Sequence, residues 1–184
     1  MSSRLIPSDF YKPFAQRHYL WLNASNWYRV VKPNMPKPRA SIRRQYGAIP
    51  YTIDGSDRVR VALLTSRETQ RWVIPKGWPM AKRSATAAAR REVLEEGGLV
   101  GTIIHMKPIG HYRYSKRFPV GKVVTCRVAV FLLRVRRVLD VWPEQNQRLR
   151  AWFSPEIAAK LVSEKGLSAI LREVTPTVLR LPRK

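Results

Sequence analysis

The sequence has few of the residues that form cross-links, and it has no long apolar run. Cys126 is the single cysteine in 184 residues, which excludes an intramolecular disulfide and any zinc site made of cysteines. It lies in an apolar, β-branched stretch, so we expect it to be a buried strand residue. No run of about 18 apolar residues is present that would span a membrane, and the first residues lack a signal-peptide pattern. A reducing, cytoplasmic location is the simplest expectation.

Acidic residues are also scarce, which makes their distribution informative. There are 12 of them against 35 lysines and arginines, giving a net charge of +23. A charge of this size attracts polyanions from solution. Three of the acids nevertheless lie close together, at Glu92, Glu95 and Glu96.

On a helix, these three carboxylates share one face and repel each other. A hard cation such as Mg²⁺ or Mn²⁺, bound between them, would remove the repulsion. The cluster therefore indicates a divalent-metal site suited to phosphate chemistry. The simpler alternative is a solvated helix face on which Arg91 pairs with Glu95.

The residues around the cluster predict a strand, a glycine turn and a helix. Residues 71–75 have the composition of a short strand that leads to Gly77. Ser84 is a favourable N-cap for the alanine-rich stretch that follows, and the glycines at 97–98 end the helix, one of them in the left-handed conformation. Leu94 should lie on the side opposite the acids, which would remain in contact with water. This arrangement favours a site over a solvated face.

The segment from residue 77 to residue 99 resembles the Nudix box. That motif runs as Gly, five residues, Glu, seven residues, Arg-Glu, an aliphatic residue, any residue, Glu-Glu, any residue, Gly and an aliphatic residue. The matching positions are Gly77, Arg91, Glu92, Val93, Glu95, Glu96, Gly98 and Leu99. One position departs, because Arg83 stands where the first Glu is expected. Flanking segments between residues 43 and 172 resemble the diphosphoinositol polyphosphate phosphohydrolase-like branch of the family.

The resemblance implies an α/β fold, the Nudix-type α/β/α sandwich with a mixed β-sheet. It also implies that Glu92, Glu95 and Glu96 bind Mg²⁺ or Mn²⁺ and act in catalysis, one of them as ligand or general base. Arg91 would hold one of these carboxylates in place. The loop residue Glu144 would be an additional metal ligand or base. The substrate-binding residues expected on the same grounds are Ser66, Arg67, Lys76 and Gly77, although each basic side chain is alternatively a solvent-facing charge.

Hydrophobic periodicity and turn residues predict the remaining elements. Strands are expected at residues 46–53, 58–66, 122–136 and 148–153, with one or two more between residues 100 and 114. Two further helices are expected at residues 155–162, after a serine cap at Ser154, and at residues 167–173.

We divide the chain into three regions. Residues 1–42 form a basic extension rich in aromatic residues and proline, residues 43–174 the Nudix domain, and residues 175–184 a basic C-terminal tail. The aromatic residues of the extension suit packing on a domain surface, and we favour this over the binding of single-stranded nucleic acid by stacking.

These observations leave three functions open. The first is a metal-dependent pyrophosphohydrolase that cleaves a phosphoanhydride of a soluble anionic polyphosphate, with a diphosphoinositol polyphosphate or a dinucleoside polyphosphate foremost. The second is a weakly active or inactive RNA-binding protein, in which Arg83 impairs the site. The third is an RNA 5′-pyrophosphohydrolase. The retention of three clustered carboxylates favours an enzyme, and the sequence predicts no oligomeric state.

Overall fold

The computed structural model describes residues 42–118 and 121–181. These residues form eight β-strands: β1 (Arg43–Ile53), β2 (Val59–Thr65), β3 (Trp72–Val73), β4 (Lys76–Gly77), β5 (Leu99–Ile103), β6 (Gly110–Arg117), β7 (Val123–Val138) and β8 (Arg150–Phe153). They also form four helices: α1 (Ala85–Gly97), α2 (Pro155–Leu161), α3 (Lys165–Arg172) and α4 (Val174–Leu179). The predicted N-terminal extension lies outside the described residues except for residue 42.

The strands form one mixed sheet. Its central order is β3-β2-β1-β7-β5, with β8 paired to β2, β4 to β1 and β6 to β7. The pair β1–β7 is parallel, and the other pairs are antiparallel. Both β2 and β4 lie beside β1, with Tyr51 opposite Val61 in β2 and Tyr46 opposite Gly77 in β4. Both strands therefore pair with the same edge of β1, and Glu92 and Glu96, in the C-terminal half of α1, lie close to β4.

Helices cover both faces of the sheet, which confirms the predicted α/β sandwich. On one face, α1 packs through Ala89 and Val93 against a cluster that includes Ala48 and Phe131. The opposite face is covered by the C-terminal helices, and its buried residues include Ile49, Val61, Val130, Leu132, Leu167, Leu171 and Val178. Successive side chains along β1 and β7 point to opposite faces of the sheet, so they pack alternately into these two cores.

The ends of α1 are as the sequence predicts. Ser84 caps the helix, its hydroxyl accepting the Ala87 N–H at 3.1 Å. Gly98 has φ = 61°, the left-handed conformation, and its N–H donates to the Leu94 carbonyl at 2.9 Å. A Cβ at residue 98 would also meet the ring of Trp142. Glycine is therefore required here both by the backbone angle and by packing.

The prediction of which side of α1 is buried was wrong. Leu94 is 38% exposed, whereas Glu96 is only 7% exposed. Val93 and Gly97 face the sheet, and Glu96 lies beside them on the helix surface, so its carboxylate enters the interior. Leu94 is rotated away from that surface.

Two other elements differ from the sequence expectations. The strand expected at residues 71–75 is the shorter β3, which pairs with β2, and the expected glycine turn at Gly77 contains a second short strand, β4, which pairs with β1. The chain continues as α4 where a tail was expected from residue 175, because Val178 is buried in the core. In the described part of the chain, no helix is both long and apolar enough to cross a membrane.

Candidate active site

A cleft of about 490 Å³ lies beside the edge of β1 with which β2 and β4 both pair. It is lined by the loop after β2, by β4 and the residue after it, by the C-terminal half of α1, by the loop between β7 and β8, by β6 and by the start of α3. The charged lining residues are Arg67, Glu68, Arg71, Lys76, Glu92, Glu96, Lys116, Arg117, Glu144, Arg148 and Glu164. Carboxylates and cations from distant parts of the sequence thus share one cavity.

Glu92 lies against the backbone of Gly77. A Cβ built on Gly77 would overlap the Glu92 carboxylate, so the absence of a side chain at Gly77 leaves room for that carboxylate. Partial burial, followed by the negative charges of Glu96, Glu95 and Glu144, raises the pKa of Glu92 to about 7. This carboxyl group can therefore gain or lose a proton near neutral pH.

We expect Gly77→Ala to leave the protein folded and to lower turnover by about 100-fold, because the new methyl group displaces the Glu92 carboxylate. The loss of folding stability should be small, about 1 kcal/mol, since the clash is with the end of a flexible side chain. Gly55→Ala is the matched control, as a Cβ there has no neighbour within 4 Å. Steady-state rates and thermal melts of both variants test this, and equal turnover in the two variants would contradict it.

Glu96 is buried, and each of its two carboxylate oxygens accepts a hydrogen bond. Its Oε2 accepts the backbone N–H of Lys76 at 3.0 Å, and its Oε1 accepts from the Arg148 guanidinium. Burial raises the pKa of Glu96, while the positive charges of Lys76 and Arg148 oppose that shift. Burial likewise lowers the pKa of Lys76, against the opposing effect of Glu96. The carboxylate is consequently held in one position.

Arg148 joins three parts of the cleft. Besides Glu96, its guanidinium donates to Glu144 Oε2 at 2.6 Å and to the carbonyl of Thr65 at 3.1 Å. Only 8% of Arg148 is exposed. The sequence analysis did not identify this residue as part of the site, because one arginine among 35 basic residues carries no local signal of burial. It was expected as the first residue of the strand at residues 148–153, whereas β8 begins two residues later, at Arg150.

Glu144 enters the cleft from the loop between β7 and β8. Its backbone N–H donates to the Glu95 carbonyl at 3.2 Å, and its Oε1 lies 3.8 Å from the Arg67 guanidinium. The loop is also attached by Trp142, whose indole N–H donates to the Glu96 carbonyl at 3.2 Å. Two backbone carbonyls near the end of α1 thereby position a loop far away in the sequence.

Glu95 and Arg91 lie at the outer side of the cluster. Arg91 Nε donates to Glu95 Oε1 at 2.6 Å, which is the i,i+4 pairing anticipated from the sequence. Both side chains are substantially exposed. Glu95 is therefore less constrained than Glu96.

The expected substrate-binding residues lie at different depths in the cleft. Ser66 lines the cleft, but its hydroxyl is engaged by Thr69 and by the Arg71 N–H, which close the loop after β2. Arg67 is exposed at the opening and also donates to Gln147 at 3.3 Å. Lys76 is deeper, with its Nζ 5.5 Å from the centre of the Tyr114 ring.

Two further charged residues are Glu164, which lines the cleft, and Arg83, which does not. Glu164, at the start of α3, faces the cleft with 12% of its side chain exposed and lies 3.8 Å from Arg71. Nothing in the local sequence indicated this position. Arg83, the departure from the Nudix box, is exposed in the turn before α1 and is not among the residues that line the cleft.

The donor chemistry of the cleft suits a hard divalent cation. Glu96 and Glu144 lie near enough to Glu92 for their negative charges to raise its pKa, and a bound cation would relieve this repulsion. In their present positions, no three acidic, histidine or cysteine side chains of the described residues are arranged to hold a metal ion. The Arg148 guanidinium instead lies between Glu96 and Glu144 as a resident positive charge.

Comparison with known proteins agrees with this geometry. A family model described as NUDIX domain matches residues 43–177. Nudix hydrolase 13, mitochondrial, of Arabidopsis thaliana is 27% identical over 143 residues, which are 69% of this chain and 70% of that protein. Diphosphoinositol polyphosphate phosphohydrolase 2 of Rattus norvegicus is 26% identical over 135 residues, covering 71% and 70% of the two chains.

Solved structures share the fold. The Ap4A hydrolase of C. elegans superimposes with a TM-score of 0.56 at 20% identity, over 75% of this chain and 99% of that one. Among the plant mitochondrial relatives, the chain spans between 61% and 70% of their length.

The family match and the relatives named as Nudix hydrolases identify the protein as a hydrolase that acts on pyrophosphate bonds in phosphorus-containing compounds. The chain belongs to the Nudix family, as the box sequence had indicated. The resemblance to the diphosphoinositol polyphosphate phosphohydrolases is likewise confirmed, at modest identity.

Proposed function

We propose that this protein is a pyrophosphohydrolase that works with Mg²⁺ or Mn²⁺ and cleaves a phosphoanhydride bond of a soluble polyphosphate. The observation that carries the proposal is the composition of the cleft, which is lined by Glu92, Glu96 and Glu144 together with Arg67 and Lys76. The carboxylates suit a divalent cation, and the basic side chains suit phosphate groups.

The preferred substrates are a diphosphoinositol polyphosphate and a dinucleoside polyphosphate. The names of two similar proteins support them, a diphosphoinositol polyphosphate phosphohydrolase of the rat and an Ap4A hydrolase of C. elegans. The net charge of +23 supports a highly anionic substrate in either case. A cytoplasmic location remains the prediction made from the single cysteine.

Glu92, Glu95 and Glu96 would hold the divalent ion, with Glu144 as an additional ligand. Nudix hydrolases generally require such an ion, and when bound it neutralises phosphate oxygens and lowers the pKa of water. Glu92 is the best placed general base, since its pKa of about 7 lets it take a proton from water at neutral pH. Arg67 and Lys76 would bind the phosphate groups, with Ser66 and Gly77 beside them, and Arg91 would orient Glu95.

The exposed position of Arg83 favours an active enzyme. Arg83 lies in the turn before α1 and outside the lining of the cavity, so it adds no positive charge to the lining of the cleft. A protein that only bound RNA would also gain nothing from three carboxylates clustered on one helix face. These points place the pyrophosphohydrolase ahead of the inactive alternative.

The test is the release of phosphate or nucleotide from a panel of substrates, with Mg²⁺, with Mn²⁺ and with a chelator. The panel contains diadenosine polyphosphates, a diphosphoinositol phosphate, ADP-ribose and 5′-triphosphate RNA. We expect metal-dependent turnover of at least one of the first two, and a loss of about 1,000-fold in Glu96→Gln. Glu173→Gln, which changes an exposed carboxylate at the end of α3, should retain full activity.

Absence of metal-dependent turnover on the whole panel would overturn the proposal. Preferential turnover of the RNA would retain the hydrolase and replace its substrate by the RNA 5′ end.

A further inference from the structure

Glu164 is an acidic residue of the cleft to which the proposed reaction gives no role. It precedes α3, whereas the other deep acids of the cleft, Glu92, Glu96 and Glu144, come from α1 and from the loop between β7 and β8. Burial and the charges of Glu96, Glu95 and Glu144 raise the pKa of Glu92, and Glu164 is not among these groups. Glu164 therefore lies apart from the carboxylates that suit a divalent cation.

Close packing of α3 on β6 fixes the position of Glu164. A Cβ on Gly166 would lie 2.9 Å from the Tyr112 Cβ, and a Cβ on Gly110 would lie 2.9 Å from the Ile170 side chain, so helix and strand approach each other without intervening side chains at these points. Burial, followed by the negative charge of Glu164, raises the pKa of the Tyr112 hydroxyl. The carboxylate is thus held next to β6, which forms one wall of the cleft.

The Glu164 carboxylate is largely buried but lacks hydrogen bonds. Its nearest basic partner, Arg71, is 3.8 Å away, which is beyond hydrogen-bonding distance, and no other described residue donates to it. No side-chain oxygen of the described residues is both fully buried and unpaired, so the oxygens of Glu164 are open to the cleft. An ionised carboxylate only accepts hydrogen bonds. A molecule in the cleft can therefore satisfy Glu164 by placing a hydrogen-bond donor there.

A carboxylate at this position discriminates between the two preferred substrates. A diphosphoinositol pentakisphosphate carries phosphate on every ring carbon, so it has no hydroxyl to donate and brings negative charge towards Glu164. A dinucleoside polyphosphate has ribose hydroxyls, and diadenosine polyphosphates also have amino groups on the bases. A site built to accept such a donor rejects a molecule that lacks it.

Aromatic rings in the cleft favour the same substrate. Trp78 and Tyr114 both line the cavity. The Lys116 Nζ lies 5.3 Å from the centre of the Trp78 ring, and the Lys76 Nζ lies 5.5 Å from that of Tyr114. Flat rings suit a planar base better than an inositol ring surrounded by phosphates, and the adjacent ammonium groups suit the polyphosphate chain.

We propose that Glu164 determines substrate specificity, by accepting a hydrogen bond from the ribose or the base of a dinucleoside polyphosphate and by repelling a fully phosphorylated inositol ring. The inference rests on the proposed function, because it names the substrate class of the same cleft. It makes Glu164 a residue of substrate recognition, separate from the carboxylates assigned to the metal ion.

The experiment compares kcat/KM for diadenosine tetraphosphate and for a diphosphoinositol pentakisphosphate, with Mg²⁺. Glu164→Ala removes both the acceptor and the charge, and Glu164→Gln removes the charge but keeps one acceptor oxygen. Glu173→Gln, at an exposed acid outside the cleft, is the control with the same change in charge as Glu164→Gln. The 2′,3′-dideoxy analogue of diadenosine tetraphosphate separates the ribose hydroxyls from the base. Dissociation constants in chelator are measured in parallel, so that selectivity is also known without turnover.

We expect the unmodified protein to prefer diadenosine tetraphosphate. Glu164→Ala should lower kcat/KM for this substrate by about 30-fold, mainly through KM, since a hydrogen bond to a charged group is lost. Both variants should raise kcat/KM for the diphosphoinositol substrate by about threefold or more, because the repulsion is removed. The control should match the unmodified protein. If the ribose is the donor, the dideoxy analogue should be a poor substrate that Glu164→Ala does not impair further, and if the base is the donor, Glu164→Ala should impair both nucleotides equally.

Three outcomes would overturn this inference. They are equal losses for both substrates in Glu164→Ala, which would mean a purely structural role, an unchanged selectivity ratio in both variants, and a preference of the unmodified protein for the diphosphoinositol substrate. A lack of turnover together with the expected change in the ratio of dissociation constants has a different meaning. It would overturn the proposed hydrolysis and retain Glu164 as the residue that selects the nucleotide.

Discussion

Arg148→Met is expected to destabilise the protein by about 3–5 kcal/mol. The arginine is buried with Glu96 and also binds Glu144 and the Thr65 carbonyl. Methionine keeps much of the volume but leaves the Glu96 carboxylate buried without the guanidinium group that pairs with it. For a domain of this size, the loss corresponds to a fall in melting temperature of roughly 10 °C or more.

A double-mutant cycle isolates the interaction. Arg148→Met, Glu96→Gln and the double variant are melted in chelator, where bound metal does not contribute. We expect the double variant to be more stable than the sum of the single changes predicts, by about 2 kcal/mol or more, because the second change removes the charge that the first leaves unpaired. Arg137→Met, at an exposed arginine, should stay within about 0.5 kcal/mol of the unmodified protein. Strict additivity in the cycle would show that Arg148 does not act through Glu96.

Glu92→Gln is expected to have opposite effects on activity and on stability. Turnover should fall by about 1,000-fold, because a carboxamide neither accepts a proton nor binds a divalent cation well. In chelator at pH 8 the variant should be more stable than the unmodified protein, by about 1–2 kcal/mol after allowance for solvent screening of a partly exposed group. The reason is that burial and three neighbouring carboxylates disfavour the charged form of Glu92.

The pH dependence of this effect has a definite sign. Burial and like charge raise the pKa of Glu92 from 4.5 to about 7, so its contribution to stability is complete below pH 4.5 and is lost as the pH rises through 7. Gln imitates the protonated form at every pH. The stability gain of the variant should therefore be large at pH 8 and absent near pH 4. Melting curves at these two pH values test it, with Glu173→Gln as control, and a variant that is less stable at pH 8 would refute the electrostatic account.

Local features of the chain were predictable to within a few residues. The capping serine Ser84 and the left-handed Gly98 bound α1 as expected, since helix ends depend on side chains only a few positions away. The long strand β7 and the strand–serine–proline–helix sequence at Ser154 were found for the same reason. The short strand β4, where a glycine turn was expected, was not predicted, because its pairing with β1 decides it.

Only part of the candidate site could be predicted from the sequence. The spacing of Glu92, Glu95 and Glu96 marks a common helix face, and the box around it identifies the family. The burial of Glu96 and the exposure of Leu94 were predicted the wrong way round, since the direction in which α1 rests on the sheet is a matter of tertiary packing. The roles of the individual carboxylates stay predictions.

The sequence by itself determined the family, the acidic helix and the excess of positive charge, because each is a property of composition or of spacing within a few turns. Only the tertiary structure decided which charges meet. Arg148 reaches Glu96 across 52 positions of sequence. Such contacts follow from strand order and register, for which a single residue among many of the same charge leaves no trace in the sequence.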